Sequence, residues 1–278
     1  GVGSSHCLPK TAWLRLNGSY TSADKTVYNM LNTTMLSVTK KWEGDNHNIY
    51  GSRPRGTGSD WEVSFLIQKK KADNSWKRAQ VYGNGSTVRP LIIKVSGSNT
   101  EDEKTVTVSS LPEGEYRAVE LQPGYDVTDL NTSIVSPDNG ASETYYGAYT
   151  AEYDFADPAG SQDSGNTTTV TNTLETVEYS LTKEWVKNDS GGAKVSAELQ
   201  YQKEDGSWTG FKPAVEVELD GEADAQSSDK PYYEDKHWHA VWKDVPSVMP
   251  GSETDNNGKT IYRIVEADSD GFIRQGEV

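Results

Sequence analysis

Three polar residues fall where strands should present apolar ones, and their types suggest chemistry. Leu36-Ser37-Val38-Thr39-Lys40-Lys41-Trp42 reads as a strand, in which alternate side chains share a face. Val38, Lys40 and Trp42 therefore lie together, and the two large apolar neighbours make theirs the core face. Lys40 is directed inward, where an unpartnered lysine is costly and its pKa falls. In Tyr116-Arg117-Ala118-Val119-Glu120, Glu120 shares a face with Tyr116 and Ala118. A later strand, Val170-Thr171-Asn172-Thr173, brings Asn172. An amine, a carboxyl and a carboxamide would then converge in an aromatic-lined core. Lys41 lies on the opposite face and should be solvated. A lone strand-edge lysine usually snorkels to solvent; repetition of the pattern argues against that here.

The elements that must position these groups are strands. Alternation recurs in Trp61–Ile67, Lys104–Val108, Lys194–Tyr201 and Thr260–Glu266, separated by clusters of Gly, Asn, Asp, Ser and Pro. No convincing amphipathic helix interrupts them. Many short strands between turns predict an all-β sandwich or barrel. An internal repeat organises them. Leu36–Trp42 matches Tyr179-Ser180-Leu181-Thr182-Lys183-Glu184-Trp185. Asp73-Asn74-Ser75-Trp76 matches Asp205-Gly206-Ser207-Trp208, and Ser110-Leu111-Pro112 matches Asp244-Val245-Pro246. Tyr116–Glu120 matches Tyr262-Arg263-Ile264-Val265-Glu266. Asn172 precedes Trp185 by the same thirteen residues that separate Asn29, in Val27-Tyr28-Asn29-Met30, from Trp42. The repeat predicts three parts. Residues 1–32 would be the last strand of a preceding module, residues 33–175 a complete module, and residues 176–278 a module lacking its last strand.

Composition bounds the function. A chain of 278 residues suggests about two domains. Only 33% of residues are hydrophobic, yet eight Trp and 15 Tyr argue against disorder; thin sandwiches keep one face of each strand wet. A net charge of -15 opposes binding to nucleic acid or an anionic membrane surface. Cys7 is the sole cysteine, so no internal disulfide is possible. No apolar run is long enough to span a bilayer, and no signal segment opens the chain. The sequence therefore reads as a mature or excised section.

The Thr-Lys-x-Trp opening, the Tyr-x-x-x-Glu strand followed by Pro123-Gly124-Tyr125, and the closing Val-Thr-Asn-Thr resemble CnaB-type domains. These are the B-repeat modules of Gram-positive collagen adhesins and pilins, and the resemblance covers about residues 25 to 278. It implies tandem immunoglobulin-like β-sandwich modules, each closed by a spontaneous intramolecular isopeptide bond. It implies Lys40 as nucleophile, Asn172 as acceptor and Glu120 as the proton-handling acid. An apolar site supplies a neutral amine and a neutral acid, and folding holds the reactants at high effective concentration. The second unit has Lys183 and Glu266 but no acceptor of its own within this sequence: either its last strand lies beyond Val278 or another segment supplies it. Asn29, on residues 25–31, could complete it by strand donation, from another copy or by wrapping back.

The resemblance also implies a secreted, cell-wall-anchored stalk on a bacterial surface, without enzymatic activity on outside substrates and without cofactor or metal. Its partners would be neighbouring modules. A second expectation is a ligand face for a glycan or host matrix protein on Asp126–Thr168, carrying Tyr145, Tyr146, Tyr149 and Tyr153. Leu8-Pro9-Lys10-Thr11-Ala12 resembles a sortase signal only by coincidence. Glu43–Asn46 and Asp268–Gly271 offer carboxylates to calcium but complete no known loop. His237 and His239 should share a strand face around Trp238, without a third metal ligand. No Ser-His-Asp set or phosphate-binding glycine loop is present.

Overall fold

The structure is a computed structural model. It describes residues 32–56, 58, 60–82, 88–122, 142–145, 148–156, 166–185, 194–227 and 229–266. Eighteen strands account for the regular structure, with no helix among the described residues. In chain order they are β1 (Thr33–Glu43), β2 (Trp61–Lys70), β3 (Trp76–Arg78), β4 (Gln80–Tyr82), β5 (Val88–Pro90), β6 (Ile92–Gly97), β7 (Glu103–Pro112), β8 (Tyr116–Leu121), β9 (Ser142–Tyr145), β10 (Tyr149–Ala156) and β11 (Asn166–Leu174). There follow β12 (Thr176–Thr182), β13 (Val195–Gln202), β14 (Trp208–Gly210), β15 (Glu216–Leu219), β16 (Tyr232–Lys236), β17 (His239–Pro246) and β18 (Tyr262–Glu266).

Nine of the first eleven strands build a sandwich, and β4 and β5 pair as a separate two-stranded ribbon. One sheet has the order β7-β1-β11-β10-β9, and β1 runs antiparallel to β7 but parallel to β11. The facing sheet is centred on β2, with β3 and β6 along one edge and β8 along the other. Leu36, Val38, Trp42, Trp61, Phe65, Ala118, Tyr149 and Val170 meet in one core cluster. Each strand contributes alternate residues, as a pleated strand must.

Among the described residues no strand pairs with the outer edge of β8, so its outward N–H groups need partners. β11 supplies them from the other layer. Asn166 Oδ1 accepts from the Tyr116 N–H at 2.9 Å, and Thr168 Oγ1 accepts from the Ala118 N–H at 3.0 Å. Asn166 Nδ2 also donates to the carbonyls of Met35 and Gly114. Inward polar residues on β11 thus stitch the two layers together. The next buried polar side chain along β11 is Asn172, opposite Glu120 of β8.

Strands β12 to β18 form a second pair of sheets, β12-β17-β16 and β14-β13-β15 with β18 beside β13. Their core cluster includes Val195, Leu199, Val217, Leu219, Trp238 and Trp242. The sequence repeat reappears in geometry. Asp73 Oδ1 and Asp205 Oδ1 each accept from the N–H two residues on, at 2.9 Å. Ser110 and Asp244 both take positive φ, 61° and 55°, beside a register shift in the adjoining strand pair. Tyr116 and Tyr262 hydroxyls donate to the carbonyls of Pro112 and Pro246 at 2.7 and 2.6 Å. Arg117 lies 4.3 Å from the Trp76 ring centroid, and Arg263 lies 4.3 Å from that of Trp208.

Two expectations are corrected. His237 and Trp238 form the turn between β16 and β17, with Trp238 at φ 55°, so the two histidines do not share a strand face. His237 Nδ1 faces the Gly221 carbonyl, and His239 pairs with Asp235. The burial of Trp238 against Trp185 gave this turn the apolar look of a strand. Tyr149 and Tyr153 are fully buried in the first core, so neither contributes to an exposed ligand face. The side chains of Tyr145 and Tyr146, like Cys7, residues 8–12 and residues 268–271, lie outside the described residues.

Candidate functional site

β1 and β11 are register partners through Lys40↔Val170 and Trp42↔Asn172. Lys40 and Asn172 are therefore offset by one same-face position on adjacent parallel strands. Both are 0% exposed. β8 brings Glu120 across from the other sheet. Its Oε2 lies 3.7 Å from Lys40 Nζ, and its Oε1 accepts a hydrogen bond from Asn172 Nδ2 at 3.2 Å. One carboxylate oxygen faces each neighbour. Asn172 Oδ1 is buried and accepts no hydrogen bond among the described residues.

The surroundings favour uncharged groups. Burial lowers the Lys40 pKa to about 8, against the opposing attraction of Glu120. Burial raises the Glu120 carboxyl above its ordinary value, with Lys40 and Asn172 pulling the other way. The amine lies 4.0 Å from the Trp42 ring centroid and donates to the Lys41 carbonyl at 2.8 Å. Trp42 packs edge-on against Trp61 and Tyr149, centroids 5.6 and 5.0 Å apart. Water is excluded by these rings. Lys41, as expected, points outward and pairs with Glu103 on the exposed face.

Sequence reasoning missed one part of the site. The loop after β1 carries Asp45 and Arg53, each 2% exposed, in a two-point ion pair at 2.6 and 2.7 Å. Tyr149 donates its hydroxyl to Asp45 Oδ2 at 2.7 Å and contacts Ser52 at 2.8 Å. Asp45 is thus consumed by Arg53 and Tyr149, not open to calcium. No group of three metal-ligating side chains occurs among the described residues. The only available signal for this loop was its density of Gly, Asp and Asn; nothing local paired position 45 with 53.

The repeated site differs. Lys183 Nζ meets both Glu266 oxygens, at 2.9 and 2.8 Å, with side chains 21% and 27% exposed. β12 pairs with β17 along one edge. Among the described residues no strand pairs with its other edge, where β11 would sit by analogy with β1. Asn29 and residues 25–31 lie outside the described residues. No family model matches the chain, and comparison with curated proteins gives no match.

Proposed function

We propose that residues 33–175 form a CnaB-like, immunoglobulin-like module that joins Lys40 to Asn172 by an isopeptide bond, with Glu120 as the acid. The observation that carries this reading is Glu120 standing between the other two, one oxygen toward each, all three buried. The neutral Lys40 amine attacks Asn172 Cγ. Its excess proton passes to Glu120 through Oε2, and Glu120 returns a proton through Oε1 to Nδ2, the leaving nitrogen. The Cγ–Nδ2 bond breaks, ammonia departs, and Glu120 ends as it began. Holding amine and amide in place replaces an external catalyst. Digestion should yield a branched peptide joining the Lys40 and Asn172 segments, absent in Glu120→Gln.

The bond would tie the first strand of the module to its last. Tension entering through β1 and leaving through β11 would cross one covalent link. That suits a structural stalk or pilin-like region of a Gram-positive cell-surface adhesin, outside the cell. Residues 176–278 form a second such module in this reading, with Lys183 and Glu266 in the equivalent places. The edge of β12 that no strand pairs among the described residues supports completion by an added strand. Residues 25–31 of another copy, presenting Asn29 to Lys183, are the proposed donor. A covalent ladder on a denaturing gel, abolished by Lys183→Ala or Asn29→Ala, is the expected result; strictly single-chain mass at high concentration would refute donation between copies.

A further inference from the structure

We infer that Arg53, clamped by Asp45, is a positioning residue for the Lys40 amine: its permanent cation addresses the same indole as Lys40 and disfavours a second charge there. This rests on the cross-linking reading above and adds a residue to it. The geometry is specific. Arg53 Cζ lies 5.3 Å from the Trp42 ring centroid and Lys40 Nζ 4.0 Å from it. A guanidinium keeps its proton at any ordinary pH, so Lys40 is the group that can yield.

The loop is built to hold that guanidinium still. Asn46, His47 and Asn48 all have left-handed backbones, with φ of 46°, 54° and 58°. Such residues cost energy outside glycine, and here they turn the chain so that Arg53 returns over β1. Asn48 Oδ1 receives the Arg53 N–H at 3.0 Å. Arg53 gives Nε and Nη2 to Asp45, Nη2 also to Asp102 at 2.5 Å, and Nη1 to the Glu101 carbonyl at 2.9 Å and the Asn99 carbonyl at 3.4 Å. The charged and titratable groups around the amine are Glu120 from β8, Arg53 and Asp45 from the loop, and Tyr149 from β10; Asp102, with His47 on its far side, lies beyond Arg53. Arg53 opposes charge on Lys40, whereas Glu120 and Asp45 support it.

A loop pin with no electrostatic role would slow folding without moving a pH profile. The test is therefore the rate of ammonia loss against pH. The full chain, purified unreacted in denaturant, is diluted into buffers of roughly pH 5 to 10 and followed by intact mass. Arg53→Gln removes a cation, so Lys40 and Glu120 keep their protons to higher pH and the profile moves up by about one unit. Asp45→Asn removes an anion and moves it down. Arg53→Lys keeps the charge and leaves the profile in place even if the rate falls. An Arg53→Gln profile that is unmoved or shifted down overturns the inference. If Arg53→Gln fails to regain native circular dichroism, Asp45→Asn decides, and no downward shift overturns it. Wild-type chain that never loses ammonia defeats the cross-link reading itself, and this inference with it.

Discussion

Replacing Glu120 by glutamine keeps the side chain's shape and removes its proton chemistry, so it should uncouple the fold from the bond. The mechanical consequence can be worked out from the strand positions. Lys40 and Asn172 enclose about 130 residues, and extended chain spans at most ~3.5 Å per residue. With the bond in place, only about ten residues of β1 and β11 outside the link can extend when this module unfolds. In Glu120→Gln the enclosed chain is released, adding about 450 Å less the distance its ends already span. Single molecules pulled from both termini report this directly. Residues 176–266, where no Lys183 bond has formed, release about 300 Å in both proteins and serve as an internal marker. Wild type should show that marker alone, and Glu120→Gln should add the longer step. A wild-type trace containing the longer step would refute the reasoning, as would a variant trace without it.

Other consequences follow from the same geometry. Closing a loop of about 130 residues stabilises by about 5 kcal/mol in the chain-entropy account, so Glu120→Gln should melt roughly 10–20 °C below wild type by calorimetry. Asn172→Ala leaves Lys40 as a free buried amine whose pKa is about 8 folded and 10.5 unfolded. The unfolded chain then holds the extra proton, so urea stability of this variant should rise with pH across that window, by up to about 3 kcal/mol. Glu120, raised by burial, gives the opposite slope, starting from its ordinary value near 4.5; wild type, with its amine consumed and Glu120 intact, should lose the Lys40 slope and keep the Glu120 one. Asn166→Ala orphans the Tyr116 N–H and two carbonyls, which should cost about 2–3 kcal/mol in chemical denaturation while still permitting the bond. Tyr50 belongs to the second core, stacks edge-on with Phe211 at 5.2 Å and donates to the Lys243 carbonyl at 2.7 Å. Tyr50→Ala should split one calorimetric transition into two.

Strand positions were legible because pleat alternation is local. Val38, Lys40 and Trp42 alternate in sequence and share a buried face in the sandwich. The grouping of Lys40, Glu120 and Asn172 was legible through the repeat, which marked the three segments as equivalent across units. Asp45 and Arg53 were not legible, since a long-range ion pair on an irregular loop leaves no period to read. Asn166 and Thr168 looked like ordinary polar strand residues; their inward role depends on the outer edge of β8, which no strand pairs among the described residues. β12 stops at Thr182, short of the Trp185 that the match to β1 suggested, because no parallel neighbour extends it among the described residues. Tyr149 and Tyr153 looked like a surface cluster, but a strand period places both on the core face of β10.

The central claim is a covalent bond, and intact mass of the purified chain tests it most directly. For the single-chain species the account predicts a mass lower than the sequence mass by one ammonia, with fragmentation locating the link between Lys40 and Asn172, and the full sequence mass for the single-chain species of Glu120→Gln. Wild-type chain at its full sequence mass would contradict it.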